Sequence, residues 1–168
     1  MSTFRFAIMG AGNIAHPFCD AVTLVEDCEV SAIASKDLGR AQKFAEECSV
    51  AHAYDNYEQM LIEEKPDCVY IAVTPNDHFR LTMLCLEHRV PVLCEKAMFT
   101  NSAEAKAVFE KAEKDQTFVM EAMWSRFLPA VNQAKKWAAE GKIGRLEALQ
   151  GRIGFLAPEG ADNRYHSP

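Results

Sequence analysis

No stretch of the 168 residues approaches the roughly 18 consecutive apolar residues of a membrane-spanning helix, so no membrane partner is expected. The opening MSTFRFAIMG holds an apolar segment too short for a signal peptide and has no small-residue cleavage site, which predicts a cytoplasmic protein. An excess of positive charge is missing too. Eighteen Lys and Arg stand against 24 Asp and Glu, a net charge of −6, which argues against non-specific binding to nucleic acid while leaving room for a local basic pocket. The six cysteines (Cys19, Cys28, Cys48, Cys68, Cys85, Cys94) include no Cys-x-x-Cys pair, and most lie in apolar segments such as DCVYIAV and VPVLCEK. They read as small buried thiols rather than as disulfides or metal ligands, and no metal site is expected. Internal repeats, low-complexity tracts and flexible linkers are absent as well. The length suits one substantial core but not two full domains.

What is present is an alternation of short β-rich runs with longer amphipathic stretches. FRFAIMG, EVSAIAS, a short piece at His52 to Tyr54, DCVYIAV, PVLC and TFVMEAM read as six strands. Helical spacing marks Asn13 to about Val25, LGRAQKFAEEC, Tyr57 to Glu63, HFRLTMLCLEH and SAEAKAVFEKAEKD, the last with Ser102 as expected N-cap. PAVNQAKKWAAEGK is a further helix, opened by Pro129 and stopped by Gly141. The alternation predicts an α/β fold, a doubly wound parallel sheet with right-handed crossovers, over residues 1–122. Residues 123–168 differ: RLEALQGRIGFLAP reads as one long strand with little to pair with, as though a second, truncated α+β domain had just begun.

In such a sheet ligands bind outside the carboxyl ends of the strands, near the point where the strand order reverses. After the first strand comes Gly10-Ala11-Gly12-Asn13-Ile14-Ala15. Gly10 permits a tight turn, Gly12 lets backbone approach a pyrophosphate, Ala15 allows close helix–strand packing, and the N–H groups of the following helix meet negative charge. A glycine corner without a ligand is the alternative. After the second strand an NAD site usually carries an acid for the ribose 2′-hydroxyl. Here stand Ser35, Lys36 and Asp37, with Arg40 one helical turn on. Ser35 can donate a hydrogen bond, and Lys36 and Arg40 suit a 2′-phosphate, which favours NADP with NAD as the alternative. Asp37 could take the NAD role, but its place directly before a helical run favours capping.

The next carboxyl ends carry Thr74-Pro75-Asn76-Asp77-His78 and Glu95-Lys96-Ala97. Thr74, Asn76 and His78 form a polar turn suited to the cofactor, though His78 could simply start a helix. Lys96 at a strand mouth can hydrogen-bond a substrate hydroxyl and help its proton leave as hydride departs; a solvated Glu95–Lys96 pair is the alternative. A similar string, Glu64-Lys65-Pro66, lies at the opposite, amino edge, where Lys65 reads as an ordinary helix-end charge.

GAGNIA, IASKDLGRA, TPNDH, VLCEKAMFTNSAEA and MEAMWSRFLPA, in this order and spacing, resemble the glucose–fructose oxidoreductase/inositol dehydrogenase (Gfo/Idh/MocA) family over nearly the whole chain. MEAMWSRF resembles the branch that contains dimeric dihydrodiol dehydrogenases and NADP-dependent aldose dehydrogenases. The resemblance implies a Rossmann domain followed by a substrate domain on a large open sheet, Lys96 as catalytic lysine, and Trp124 and Arg126 bordering nicotinamide and substrate. It implies a sugar or diol substrate and, for a full-length protein, a homo-oligomer. Two departures stand out. Ala97 replaces the proline usual after Glu-Lys, where a cis bond before a non-proline costs about 2.5–4 kcal/mol. Family members also run to roughly twice this length, so the chain reads as a truncated member that binds cofactor. A dinucleotide-binding sensor without turnover is the other reading.

Overall fold

The computed structural model describes residues 3–152 and 154. The chain divides into two compact units, Met1–Trp124 and Ser125–Pro168. In the first, six strands form one sheet: β1 (Phe4–Met9), β2 (Cys28–Ala34), β3 (His52–Tyr54), β4 (Cys68–Ile71), β5 (Val92–Cys94) and β6 (Val119–Glu121). Their order is β3-β2-β1-β4-β5-β6, and every neighbouring pair is parallel. Parallel neighbours require crossovers, supplied by α1 (Ala15–Thr23), α2 (Leu38–Cys48), α3 (Tyr57–Glu64), α4 (Pro75–Glu87) and α5 (Ser102–Asp115). Winding runs outward in both directions from β1 and β4, so the crevice of a doubly wound sheet opens between their carboxyl ends.

Alternation along the central strands divides the core. Ala7 and Met9 pack with Ala32, Ala34, Val69, Ile71 and Leu81 on one face, while Ile8 packs with Ala15, Ile33, Phe44 and Tyr70 on the other. β4 is buried at every residue, as expected for a strand covered on both sides. Phe18 of α1 lies flat on Tyr70 at a ring-centroid separation of 4.0 Å, which seats α1 against the sheet. Among the described residues no helix is long and apolar enough to cross a membrane. All six cysteines are free; Cys19, Cys68, Cys85 and Cys94 are buried, and Cys28 and Cys48 are partly so.

Two sequence expectations need correction. Ser102 is the first residue of α5 rather than its cap; the Asn101 side chain accepts the Glu104 N–H at 3.0 Å instead. A side-chain cap reaches the N–H two or three residues on, and Glu104 stands three from Asn101. The Glu104 carboxylate in turn accepts from the Thr100 N–H and hydroxyl. The long strand expected from Arg145 is not formed by 145–152, and 153 and 155–158 lie outside the described residues. A β-strand requires a ladder partner, and the described residues of the second unit offer none. That unit contains α6 (Pro129–Ala139), which opens on Pro129 and is followed by Gly141 at φ +71°.

Candidate dinucleotide and substrate site

The β1–α1 turn is built around two glycines that differ in why they are glycine. Gly10 sits at φ +113°, and a Cβ there would lie 2.8 Å from the Ala72 carbonyl carbon and oxygen and 2.9 Å from a Val73 methyl. The fold itself demands glycine at this crossing of β1 past β4. Gly12 is another matter. Its φ lies outside the left-handed region, and a Cβ would meet only the Ala72 carbonyl oxygen, at an ordinary 3.5 Å. The chain's own packing leaves room for a methyl there, and an approaching pyrophosphate would fill that room.

The helix that follows has the same asymmetry. α2, α3 and α5 carry side-chain caps from Asp37, Asn56 and Asn101. α1, like α4 and α6, has no side-chain cap, and of the five helices that cover the sheet it alone lacks both a cap and an acid in its first turn. Its leading N–H groups and the positive end of its dipole therefore suit an external anion. Asn13 and Ile14 are exposed at this turn, and Ala15 is fully buried beneath it.

The β2 end supplies charge. Asp37 caps α2, accepting the Arg40 N–H at 2.8 Å, as its position before the helical run predicts. Ser35 is buried, and its hydroxyl lies 3.5 Å from the Asp37 N–H, turned into its own loop. The Arg40 guanidinium donates to the Ala11 carbonyl at 3.2 Å, which brings the β2–α2 loop to the glycine turn. Exposed Lys36 reaches the other way and contacts Asp77 of α4 at 2.7 Å. Asp77 is held below the usual carboxylate range, chiefly by that hydrogen bond from Lys36.

At the ends of β4 and β5, Thr74 and Asn76 are exposed, while His78 is fully buried beneath them. The His78 ring lies between two loops: Nδ1 is 3.0 Å from the Ala97 carbonyl oxygen and 3.2 Å from that of Met98, and Nε2 is 3.1 Å from that of Val73. His78 thus ties the turn after β4 to the turn that carries Lys96, rather than presenting itself at the surface of the crevice. The Glu121 carboxylate, at the end of β6, accepts the Met98 N–H at 3.0 Å and pins the same turn from the far side. Glu95 is buried and inward: it accepts from the Tyr70 hydroxyl at 2.8 Å and from the Lys96 backbone N–H at 3.2 Å. Burial, then the Glu95 bond, pushes the Tyr70 hydroxyl far above its ordinary range.

Lys96 itself is exposed, and its ammonium enters no ion pair among the described residues. The Lys96–Ala97 peptide is cis. A cation supported from Glu95, His78 and Glu121 through its backbone, yet free at its tip, can address a ligand at the carboxyl edge of the sheet. Lys65, by contrast, closes α3 in the left-handed region at the amino edge. Its neighbour Glu64 is buried and gathers Arg5, His52 and Tyr54 at 2.7, 2.6 and 2.6 Å. That network stabilises the edge away from the crevice. Trp124 is exposed at the end of the first unit, and Arg126, exposed, follows in the same 3₁₀ turn, Trp124–Phe127.

Residues 4–123 match the Gfo/Idh/MocA family model, described as an oxidoreductase family with an NAD-binding Rossmann fold. The chain belongs to this family. The Gfo/Idh/MocA match thus spans the whole sheet and every crevice loop described above. Among curated relatives, mouse (Mus musculus) trans-1,2-dihydrobenzene-1,2-diol dehydrogenase is 36% identical over 153 residues, covering 90% of this chain and 46% of that protein. The chain therefore spans about half the length of the curated relatives it matches. Among solved structures, an oxidoreductase from Agrobacterium radiobacter in complex with NAD+, L-tartaric acid and magnesium has a TM-score of 0.81 at 23% identity, covering 86% of this chain and 42% of that one. Scyllo-inositol dehydrogenase from Lactobacillus casei with bound NAD(H) and scyllo-inositol gives 0.79 at 18%, covering 85% and 43%. These two likenesses show the fold.

Proposed function

We propose that this chain is the cofactor-binding part of an NADP-preferring oxidoreductase that moves hydride between nicotinamide and a hydroxyl-bearing carbon of a sugar or related diol. One observation carries the assignment: Lys96, its ammonium unpaired among the described residues, stands at the carboxyl end of β5, on the same sheet edge as the Gly10–Gly12 turn. The bound nicotinamide would supply the hydride acceptor or donor. The chain's residues do the rest. Gly10, Gly12, Asn13 and Ile14 would hold the pyrophosphate, Ser35, Lys36 and Arg40 the adenosine ribose and its 2′-phosphate, and Thr74 and Asn76 the nicotinamide side. His78 and Glu95 would act from below by fixing the Lys96 turn. Lys96 would hydrogen-bond the substrate hydroxyl and assist its proton's departure.

The dihydrodiol dehydrogenase name of the mouse relative and the polyol in the Lactobacillus casei structure support this substrate class. On the same reading residues 123–168 begin a substrate domain, Trp124 and Arg126 border nicotinamide and substrate, and the whole protein is a homo-oligomer. The alternative is a dinucleotide-binding sensor without turnover. The two separate on Lys96. In protein that carries the remaining share of a relative's length, Lys96→Ala should lower turnover at least 100-fold while NADPH affinity stays within a few-fold. Lys65→Ala should change neither. Turnover near the parent level in Lys96→Ala, or no turnover with any sugar or diol in the parent, would contradict the enzyme reading.

A further inference from the structure

The Lys36–Asp77 contact joins two loops of the crevice that are 41 residues apart in sequence. Lys36 follows β2, and Asp77 lies in the first turn of α4, where it favours the helix dipole but makes no cap: α4 opens on Thr74 and Pro75 without a side-chain cap bond. The second Asp77 oxygen is 3.4 Å from Arg80. Asp77 is therefore a charged carboxylate set against the cation that the 2′ position of an adenosine ribose would meet. We propose that Asp77 is a specificity-determining residue of the nucleotide site, one that weakens NADP binding by competing for the Lys36 ammonium. This rests on the reading above that Lys36 and Arg40 face the 2′-phosphate.

The physics is a like-charge conflict. A 2′-phosphate that engages Lys36 either displaces Asp77 or shares the ammonium with it, which sets two anions on one cation within several ångströms of each other. A 2′-hydroxyl brings no charge and meets no such conflict. Asp77 thus handicaps NADP selectively, and the site tolerates NAD better than its two basic residues alone would predict. Arg40 makes no ion pair with Asp77; its guanidinium donates to the Ala11 carbonyl.

The test is fluorescence titration of the 168-residue chain with NADPH and NADH, and calorimetric titration with adenosine 2′,5′-bisphosphate and 5′-AMP. Asp77→Asn keeps the side-chain shape and removes the charge. It should tighten NADPH and the bisphosphate about three- to fivefold, a rough figure for one solvent-exposed charge contact, and leave NADH and 5′-AMP within twofold. The gain should shrink in 0.5 M KCl, where screening is strong. If Asp77→Asn melts below the assay temperature, Asp77→Ser serves instead. Unchanged or weaker NADPH binding in a folded variant overturns the proposal, the weaker case meaning that Asp77 preorganises Lys36 rather than competing for it. Lys36→Ala separates the levels. If it leaves the NADPH-to-NADH ratio unchanged, the 2′-phosphate reading itself fails. If it lowers that ratio while Asp77→Asn does not raise it, only the role of Asp77 fails.

Discussion

Gly10 and Gly12, two positions apart, differ in whether the fold itself needs glycine. An alanine at Gly10 would be forced into φ +113° with its Cβ 2.8 Å from backbone atoms of Ala72, so Gly10→Ala should cost at least about 2 kcal/mol and move the backbone. Gly12→Ala meets only one ordinary contact, at 3.5 Å. Its melting temperature should stay within about 2 °C of the parent, while NADPH and NADH affinities both fall at least about tenfold because the methyl occupies pyrophosphate space. Paired thermal melts and titrations check this, and unaltered affinity in folded Gly12→Ala would remove the phosphate cradle. Features that follow from local rules were readable: the tight turn at Gly10, the Asp37 cap before a helical run, and the position of Lys96 directly after a strand. The contacts of Asp77, of buried His78 and of Glu64 were not readable. Each depends on partners that the topology brings from distant segments: Lys36 for Asp77, the Ala97 and Met98 carbonyls for His78, and Arg5 for Glu64.

At the scale of elements, the strands and helices of the first unit were legible because β-branched and aromatic runs alternate with helical spacing, and the central strands are buried on both faces. The strand expected from Arg145 is not formed at 145–152 for the complementary reason: apolar sequence makes a strand only where a neighbouring strand supplies hydrogen bonds. β4 and β5 also carry a pH dependence. Burial pushes Cys68 and Cys94, and Cys19 of α1, from 9.0 up to about 12. Below pH 9 these thiols are protonated whether the chain is folded or not. Above it the unfolded chain releases protons that the folded chain retains, so stability is lost as pH rises from about 9 to 12, at about 1.4 kcal/mol per pH unit for each thiol. Urea denaturation at pH 8, 9.5 and 10.5 should show midpoints that fall steadily. At pH 8 a thiol reagent should label no more than Cys28 and Cys48 in the folded chain and all six thiols in denaturant. A flat alkaline profile, or fast labelling of the four buried thiols, would contradict this packing.

For the whole molecule, the unit Met1–Trp124 holds the complete six-stranded sheet and the loops after β1, β2, β4 and β5 that form the crevice. It should therefore bind dinucleotide without the remaining share of its relatives' length, and the 168-residue chain by itself should not turn over sugars or diols. Binding to the folded state alone raises stability by RT ln(1 + [L]/Kd), about 2.7 kcal/mol at a hundredfold excess over Kd, or roughly 5–10 °C in melting temperature for a chain of this size. A thermal-shift series of the 168-residue chain with NADPH and NADH up to millimolar concentration tests the account most directly. The predicted result is a graded rise of several degrees with both, larger for NADPH at equal concentration; no shift with either at millimolar concentration would contradict it.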